Sequence, residues 1–240
     1  MIGQKTVSAI IPSAGVGKRM RDVVPGGVGK QFVSVHNRPL ISYTLEKFVK
    51  STYVDEIIVV CAAEAISYMK KEVLNPNHFS RIIRIVVGGK ERQDSVYEGF
   101  KAIEHADIVL VHDGVRPFVR TSRIDQLIEV CSTVGAAVLA VRPKDTVKSQ
   151  DNERYIEKTL DRSTLWNIQT PQAFDYEILK EAYEYANRSG FYGTDEAMLV
   201  EKIGRRIKLV EGDYENIKIT TPDDLNYAEF ILANELKQLV

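Results

Sequence analysis

An excess of charge of either sign is missing from this chain, whose 240 residues carry 32 Lys and Arg against 33 Asp and Glu. The resulting net charge of −1 supplies no basic field, which excludes a nucleic-acid polymer or an anionic membrane as the main partner. Cysteine is scarce too. Cys61 and Cys131 match no metal or redox spacing, and Cys131 continues the apolar stripe Ile124, Leu127, Ile128, so both read as core residues. No apolar run reaches the ~20 residues of a membrane helix. The opening "MIGQKTVS" lacks the basic segment and long apolar stretch of a secretory signal, so a cytoplasmic protein is expected. Repeats, low-complexity runs and Pro/Ser-rich linkers are also lacking, which predicts a single domain over residues 1–240.

What is present is an alternation. "VSAIIP", "DEIIVVCA", "RIIRIVV", "DIVLVHD" and "AAVLAV" are short Val- and Ile-rich runs, the pattern of strands covered on both faces. Between them "RPLISYTLEKFVKS", "EAISYMKKEVL", "ERQDSVYEGFKAIE" and "TSRIDQLIEVCSTVG" carry apolar residues at helical spacing. The alternation predicts an α/β three-layer sandwich with a mostly parallel, Rossmann-like sheet. Residues 143–163 break the rhythm with short alternating segments around the polar turn "SQDNER", a hairpin signature. Such a hairpin is marginal alone and is expected to protrude as an arm that packs on something outside the sheet. Helical patterns resume at "DYEILKEAYEYANR" and "TDEAMLVEKIG", and "TTPDDL" announces a last helix, with Thr221 as cap and Pro222 in the first turn.

Two glycine-rich stretches follow the first strand, "SAGVGKRM" and "PGGVGKQF". A dinucleotide fingerprint needs a small residue where Met20 stands and an acidic end to the next strand, which instead ends Cys61-Ala62. A P-loop needs glycine at Val24 and Ser or Thr at Gln31. Both readings fail. What remains is a strand running into Ser13, Ala14, Gly15 and Gly17, with Arg19 and Lys30 able to neutralise a polyphosphate held by backbone amides, or a tight turn with solvated charges. Farther on, "VHDGVRPF" puts Asp113 just past a central strand, where one carboxylate can hold Mg²⁺ together with substrate phosphates, or can pair with Arg116 at the surface. His112 reads as a packing residue, and His36, His78 and His105 show no ligand spacing.

The segments "SAGVGKRM", "KQF", "GGKERQDSV", "VHDGVRPF", "KDTVK", "LDRSTLWNIQTPQAF", "TDEA" and "EGDYENIKITTPDDL" occur in an order and spacing similar to the 2-C-methyl-D-erythritol 4-phosphate cytidylyltransferases, over nearly the whole chain. The resemblance implies a nucleotidyltransferase that uses CTP and methylerythritol phosphate, with Mg²⁺ as cofactor. It implies Arg19 and Lys30 at the α-phosphate and leaving pyrophosphate, Asp113 on Mg²⁺, and Gly89 and Ser95 against the cytosine. Thr146, Arg162 and Lys218 would grip the substrate phosphate, and the 143–163 arm would interlock with a twin subunit in a homodimer. The chemistry suits these residue types. A phosphate monoester with a second pKa near ~6 is already largely dianionic at pH 7, so no general base is required, and the sequence offers no Ser-His or Cys-His arrangement. Three departures stand out. Gly26-Gly27-Val28-Gly29 lengthens the loop before Lys30, Ser13 replaces the usual alanine, and Gly114-Val115 replaces a pair of small residues. The nearest rival is a ribitol-phosphate cytidylyltransferase, against which Arg162 and Trp166 in "DRSTLW" stand. A catalytically silent nucleotide-binding protein should have lost one of Arg19, Lys30, Asp113 or Lys218, and all four are here.

Overall fold

The structure, a computed structural model, describes residues 2, 3, 5–15, 29–77, 79 and 83–237. Its strands are β1 Val7–Ser13, β2 Ser34–Val35, β3 Arg38–Pro39, β4 Glu56–Cys61, β5 Ile83–Val87, β6 Ile108–Val111, β7 Ala136–Val141, β8 Lys148–Gln150, β9 Ile156–Thr159, β10 Asn167–Asp175 and β11 Lys208–Glu211. Its helices are α1 Leu40–Val49, α2 Ile66–Tyr68, α3 Arg92–Lys101, α4 Thr121–Val134, α5 Tyr176–Ser189, α6 Glu196–Lys202 and α7 Pro222–Lys237. Seven strands form one sheet in the order β11-β7-β10-β6-β1-β4-β5, parallel except for β10, which is antiparallel to β6 and β7.

Strand periodicity builds two cores from one sheet. In β1, Val7, Ala9 and Ile11 face a cluster with Ile41, Leu45 and Phe48 of α1 and Ile124, Leu127 and Cys131 of α4. Ile10 faces the other way, onto Val96 and Phe100 of α3, Leu179 and Tyr183 of α5, and Leu199 of α6. This is the expected three-layer sandwich. Both cysteines are buried, and burial pushes their thiols up to about 11 for Cys61 and about 12 for Cys131, so neither is a nucleophile at neutral pH. Thr221 accepts from the Asp224 amide at 3.3 Å and caps α7 in the expected way.

Several elements differ from the sequence reading: β2, β3 and the edge strand β11 lie outside the runs read as strands, and Arg38–Pro39 opens a segment that reads as helical. The helix expected over "EAISYMKKEVL" is a composite: a 3₁₀ turn Ala63–Ala65, the single turn α2, and a π-helical segment Met69–Leu74. The strand β10 was not anticipated, because Pro171 within "NIQTPQAFD" argues against a central strand. The chain accommodates it with a register break between Ile168 and Gln172, which absorbs the proline inside the ladder to β7. Within residues 143–163, β8 and β9 pair as the expected hairpin, in a two-stranded sheet of their own. Among the described residues, no helix is long and apolar enough to cross a membrane.

Candidate active site

The chain order of the sheet decides where a ligand can enter. From β1 the sheet grows outward through β4 and β5, then returns to place β6 on the other side of β1. The carboxyl ends of β1 and β6 therefore flank a switch point, the crevice where open α/β sheets bind ligands. A cleft of about 420 Å³ lies there. Ser13, Ala14 and Gly15 from the end of β1 line it, with Lys30, Gly89, Ser95, Asp113 and Lys218. Of the residues expected at a site, the structure thus brings these eight to one cleft. Gly17 and Arg19 lie outside the described residues.

Local contacts hold the walls. Gly88 has no room for a side chain, since a Cβ would stand 2.6 Å from Ala14 Cβ and 2.9 Å from Ser95 Oγ, so the loop before α3 packs directly on the end of β1. Ser95 donates to the Gly89 carbonyl at 3.3 Å. Lys30 opens a 3₁₀ turn over Lys30–Phe32, and its ammonium donates to the Ile219 carbonyl at 3.2 Å, next to Lys218. Gln31 Nε2 donates to the Ser13 carbonyl at 2.6 Å, tying that turn to β1.

Asp113 is the electrostatic centre. It is buried at 7% exposure rather than paired at the surface. Lys218 Nζ lies 2.8 Å from its Oδ2, Arg92 Nε 3.2 Å from Oδ1, and Arg116 Nε 3.7 Å from Oδ2. Burial alone would raise its pKa, but Arg92, Lys218 and Arg116 outweigh burial and hold the carboxyl well below the usual carboxylate range. Arg92 in turn forks onto Glu196 at 2.9 and 3.0 Å. Beside Asp113, the His112 ring lies between Thr170 Oγ1 at 3.2 Å and the Arg116 carbonyl at 3.0 Å. Burial lowers its pKa to about 4, and it is neutral and structural, as the sequence suggested. The Asp113 amide donates to Thr170 Oγ1 at 3.1 Å, so β10 supports the loop that carries the carboxylate.

A smaller cavity of about 150 Å³ adjoins the cleft across Asp113, Arg92 and Lys218, and adds Arg116, Thr170 and Thr194 to its lining. The described residues contain no group of three metal-ligating side chains, so no all-protein metal cage exists among them. Asp113 nevertheless offers hard carboxylate oxygens to both cavities: Oδ1 meets one cation, Arg92, and keeps a second lone pair, while Oδ2 meets Lys218 closely and Arg116 only at 3.7 Å. A single carboxylate completed by substrate phosphates and water is the donor set that Mg²⁺ accepts.

Thr146 and Arg162 are not at this cleft. Both are exposed, and Arg162 donates to the Lys144 carbonyl in a separate groove at the base of the arm, shared with Arg142 and Tyr214. Sequence reasoning paired Arg116 with Asp113, as the structure does, but placed the pair at the surface; it missed Arg92, Thr170, Gln31 and Glu196. Arg92 and Glu196 stand inside quoted segments, but a pair 104 residues apart leaves no spacing to read.

The two departures at Ser13 and Gly114 belong together. A methyl on Gly114 would overlap the Ser13 hydroxyl and stand 3.3 Å from Ile11 Cγ2. Gly114→Ala is expected to cost about 1–3 kcal/mol by overpacking, and Ser13→Ala in the same chain to recover most of it. Urea unfolding of the two single variants and the double would check this; additive effects would refute the coupling.

A family model described as IspD, 2-C-methyl-D-erythritol 4-phosphate cytidylyltransferase, matches residues 7–234. Relatives bearing that same name include one from Clostridium acetobutylicum, 43% identical over 93% of this chain and 96% of its own length. Another, from Bacillus velezensis, is 47% identical over 94% of this chain and 95% of its own. Among solved structures, a 4-diphosphocytidyl-2C-methyl-D-erythritol synthase from Anaerococcus prevotii superposes with a TM-score of 0.85 at 35% identity, covering 97% of this chain and 98% of that one. A 2-C-methyl-D-erythritol 4-phosphate cytidylyltransferase from Thermus thermophilus superposes with a TM-score of 0.77 at 32% identity, covering 94% and 98%.

Proposed function

This chain belongs to the 2-C-methyl-D-erythritol 4-phosphate cytidylyltransferase family, and we propose how its residues divide the work of moving CMP from CTP onto methylerythritol phosphate. The reaction joins a phosphate oxygen of methylerythritol phosphate to the α-phosphorus of CTP and breaks the bond to pyrophosphate. The product is 4-diphosphocytidyl-2-C-methyl-D-erythritol, an intermediate of isoprenoid biosynthesis. The nucleophile is already a phosphate dianion, so the enzyme need not remove a proton. What opposes the reaction is repulsion between anions and the charge that grows on the leaving group, and fixed cations reduce both.

In this reading CTP occupies the 420 Å³ cleft. The backbone of Ser13, Ala14 and Gly15 faces its phosphates, Gly17 serves the same phosphates, and Gly89 and Ser95 face the cytosine. Arg19 and Lys30 stabilise charge at the α-phosphate and pyrophosphate. Asp113 would hold Mg²⁺, which when bound neutralises charge on the phosphate oxygens. Lys218 serves the substrate phosphate, and Thr146 and Arg162 reach that phosphate from a partner subunit through the 143–163 arm. The cytoplasm is the expected compartment. The observation that carries this reading is the convergence of Lys30, Asp113, Lys218 and the ends of β1 and α3 on one cleft at the switch point.

The test is product analysis with methylerythritol phosphate or ribitol phosphate as acceptor and CTP or UTP as donor. CTP with methylerythritol phosphate is expected to exceed every other pair, because a site hydrogen-bonded to the cytosine amino group leaves buried groups unpaired against a uracil carbonyl. Equal turnover of ribitol phosphate or of UTP would sink the assignment.

A further inference from the structure

Glu196 is among the most deeply buried charges described, with 1% of its side chain exposed. A buried ion pair rarely repays the desolvation of its members, so stability alone does not account for this carboxylate. It lines neither cavity, whereas its partner Arg92 lines both. Glu196 Oε1 and Oε2 accept from the two terminal nitrogens of Arg92 at 2.9 and 3.0 Å. The Tyr183 hydroxyl, from the buried face of α5, donates to the same Oε1 at 3.3 Å and limits its movement. A guanidinium is planar, so fixing both terminal nitrogens fixes the direction of the remaining Nε–H bond. That bond meets Asp113 Oδ1 at 3.2 Å.

We infer that Glu196 is a positioning residue: it orients Arg92 so that the Nε edge, and only that edge, holds the Asp113 carboxylate in place for metal and substrate phosphate. The inference rests on the metal role proposed for Asp113. Charge gives Glu196 a second part. Arg92, Arg116 and Lys218 crowd Asp113, and Glu196 occupies the larger share of Arg92. Without that carboxylate, Arg92 has Asp113 as its remaining anionic partner among the described residues and competes directly with a cation for Oδ1.

The decisive measurement is Mn²⁺ binding, by electron paramagnetic resonance, to the enzyme–CTP complex without acceptor, alongside steady-state kinetics and the thermal midpoint. Glu196→Gln keeps the volume and removes the charge. It is expected to weaken Mn²⁺ binding and lower kcat by about 10–100-fold, as loss of a partner behind a metal ligand does, while KM for CTP changes less than about threefold. Arg92→Lys keeps the charge but not the fork and is expected to behave in the same way. Wild-type Mn²⁺ affinity in folded Glu196→Gln overturns the inference. Should that variant not fold, wild-type affinity in Arg92→Lys overturns it instead. Asp113→Asn separates the two levels: if it binds Mn²⁺ normally, the metal role of Asp113 falls and this inference with it. If Asp113→Asn loses Mn²⁺ and Glu196→Gln does not, only the positioning role falls.

Discussion

Replacing Lys30 with alanine is expected to lower kcat by about 10²–10³-fold, the usual loss when one preorganised charge contact to a transition state is removed. The lysine is held for such a contact. Its backbone begins the turn over Lys30–Phe32, Gln31 anchors that turn to the Ser13 carbonyl, and Phe32 is buried beneath it. The ammonium lies against the Ile219 carbonyl, one residue from Lys218, on the wall of the cleft. Lys30→Arg keeps the charge and is expected to recover only part of the rate, because a planar fork does not occupy the place of a compact ammonium. Since side-chain loss at a half-buried lysine leaves the core untouched, the thermal midpoint should move little. A raised KM with unchanged kcat would mean that Lys30 binds CTP equally in ground and transition states. Near-normal turnover would reduce the glycine loop to a turn.

Mixing two nearly inactive variants, Lys30→Ala and Arg162→Ala, is expected to restore about a quarter of wild-type activity once their subunits exchange. The reasoning starts from the arm. Among the described residues, strands β8 and β9 pair only with each other, and Tyr155 and Ile156 near the turn are each 69% exposed, so these apolar side chains are left uncovered by the rest of the described chain. Arg162, at the end of the hairpin, is spent on the Lys144 carbonyl and lines neither cavity at Asp113. If Arg162 acts across a two-fold interface, each mixed dimer has one site with both Lys30 and Arg162 intact. Random pairing makes about half the dimers mixed, with one good site in two. If Arg162 serves its own chain, every site in a mixed dimer is damaged. Exchange verified by mass, with no recovery, would make the arm act in cis or be structural only.

The sheet was legible because its strands are short Val- and Ile-rich runs between helical patterns: β4, β5, β6 and β7 fall inside segments that read as strands, and β1 runs one residue past its segment, to Ser13. The strand β10 was not, because its proline is tolerated through a register break that only the partner strand β7 reveals. Asp113, just past a strand end, carried a local signal, whereas Gly89 was placed by the resemblance of its segment to the family. Glu196 carried no such signal. Its meaning comes from Arg92 and Tyr183, and both contacts exist only because α3, α5 and α6 share one face of the sheet. Gly114 was visible as a departure, but its dependence on Ser13 is a distance between two strand ends, which no linear pattern records.

The strands β7 and β10 are antiparallel neighbours, and the arm is the chain that joins them. In topological terms the whole 143–163 excursion is the loop of one hairpin in the main sheet. Its length can therefore drift in evolution without shifting any register that supports Asp113 or Thr170, because doubling a loop costs only about 0.6 kcal/mol of closure entropy. The arm and the nucleotide floor are thus independent in register: residues 143–163 can lengthen or shorten while the strands beneath Asp113 and Thr170 stay as they were.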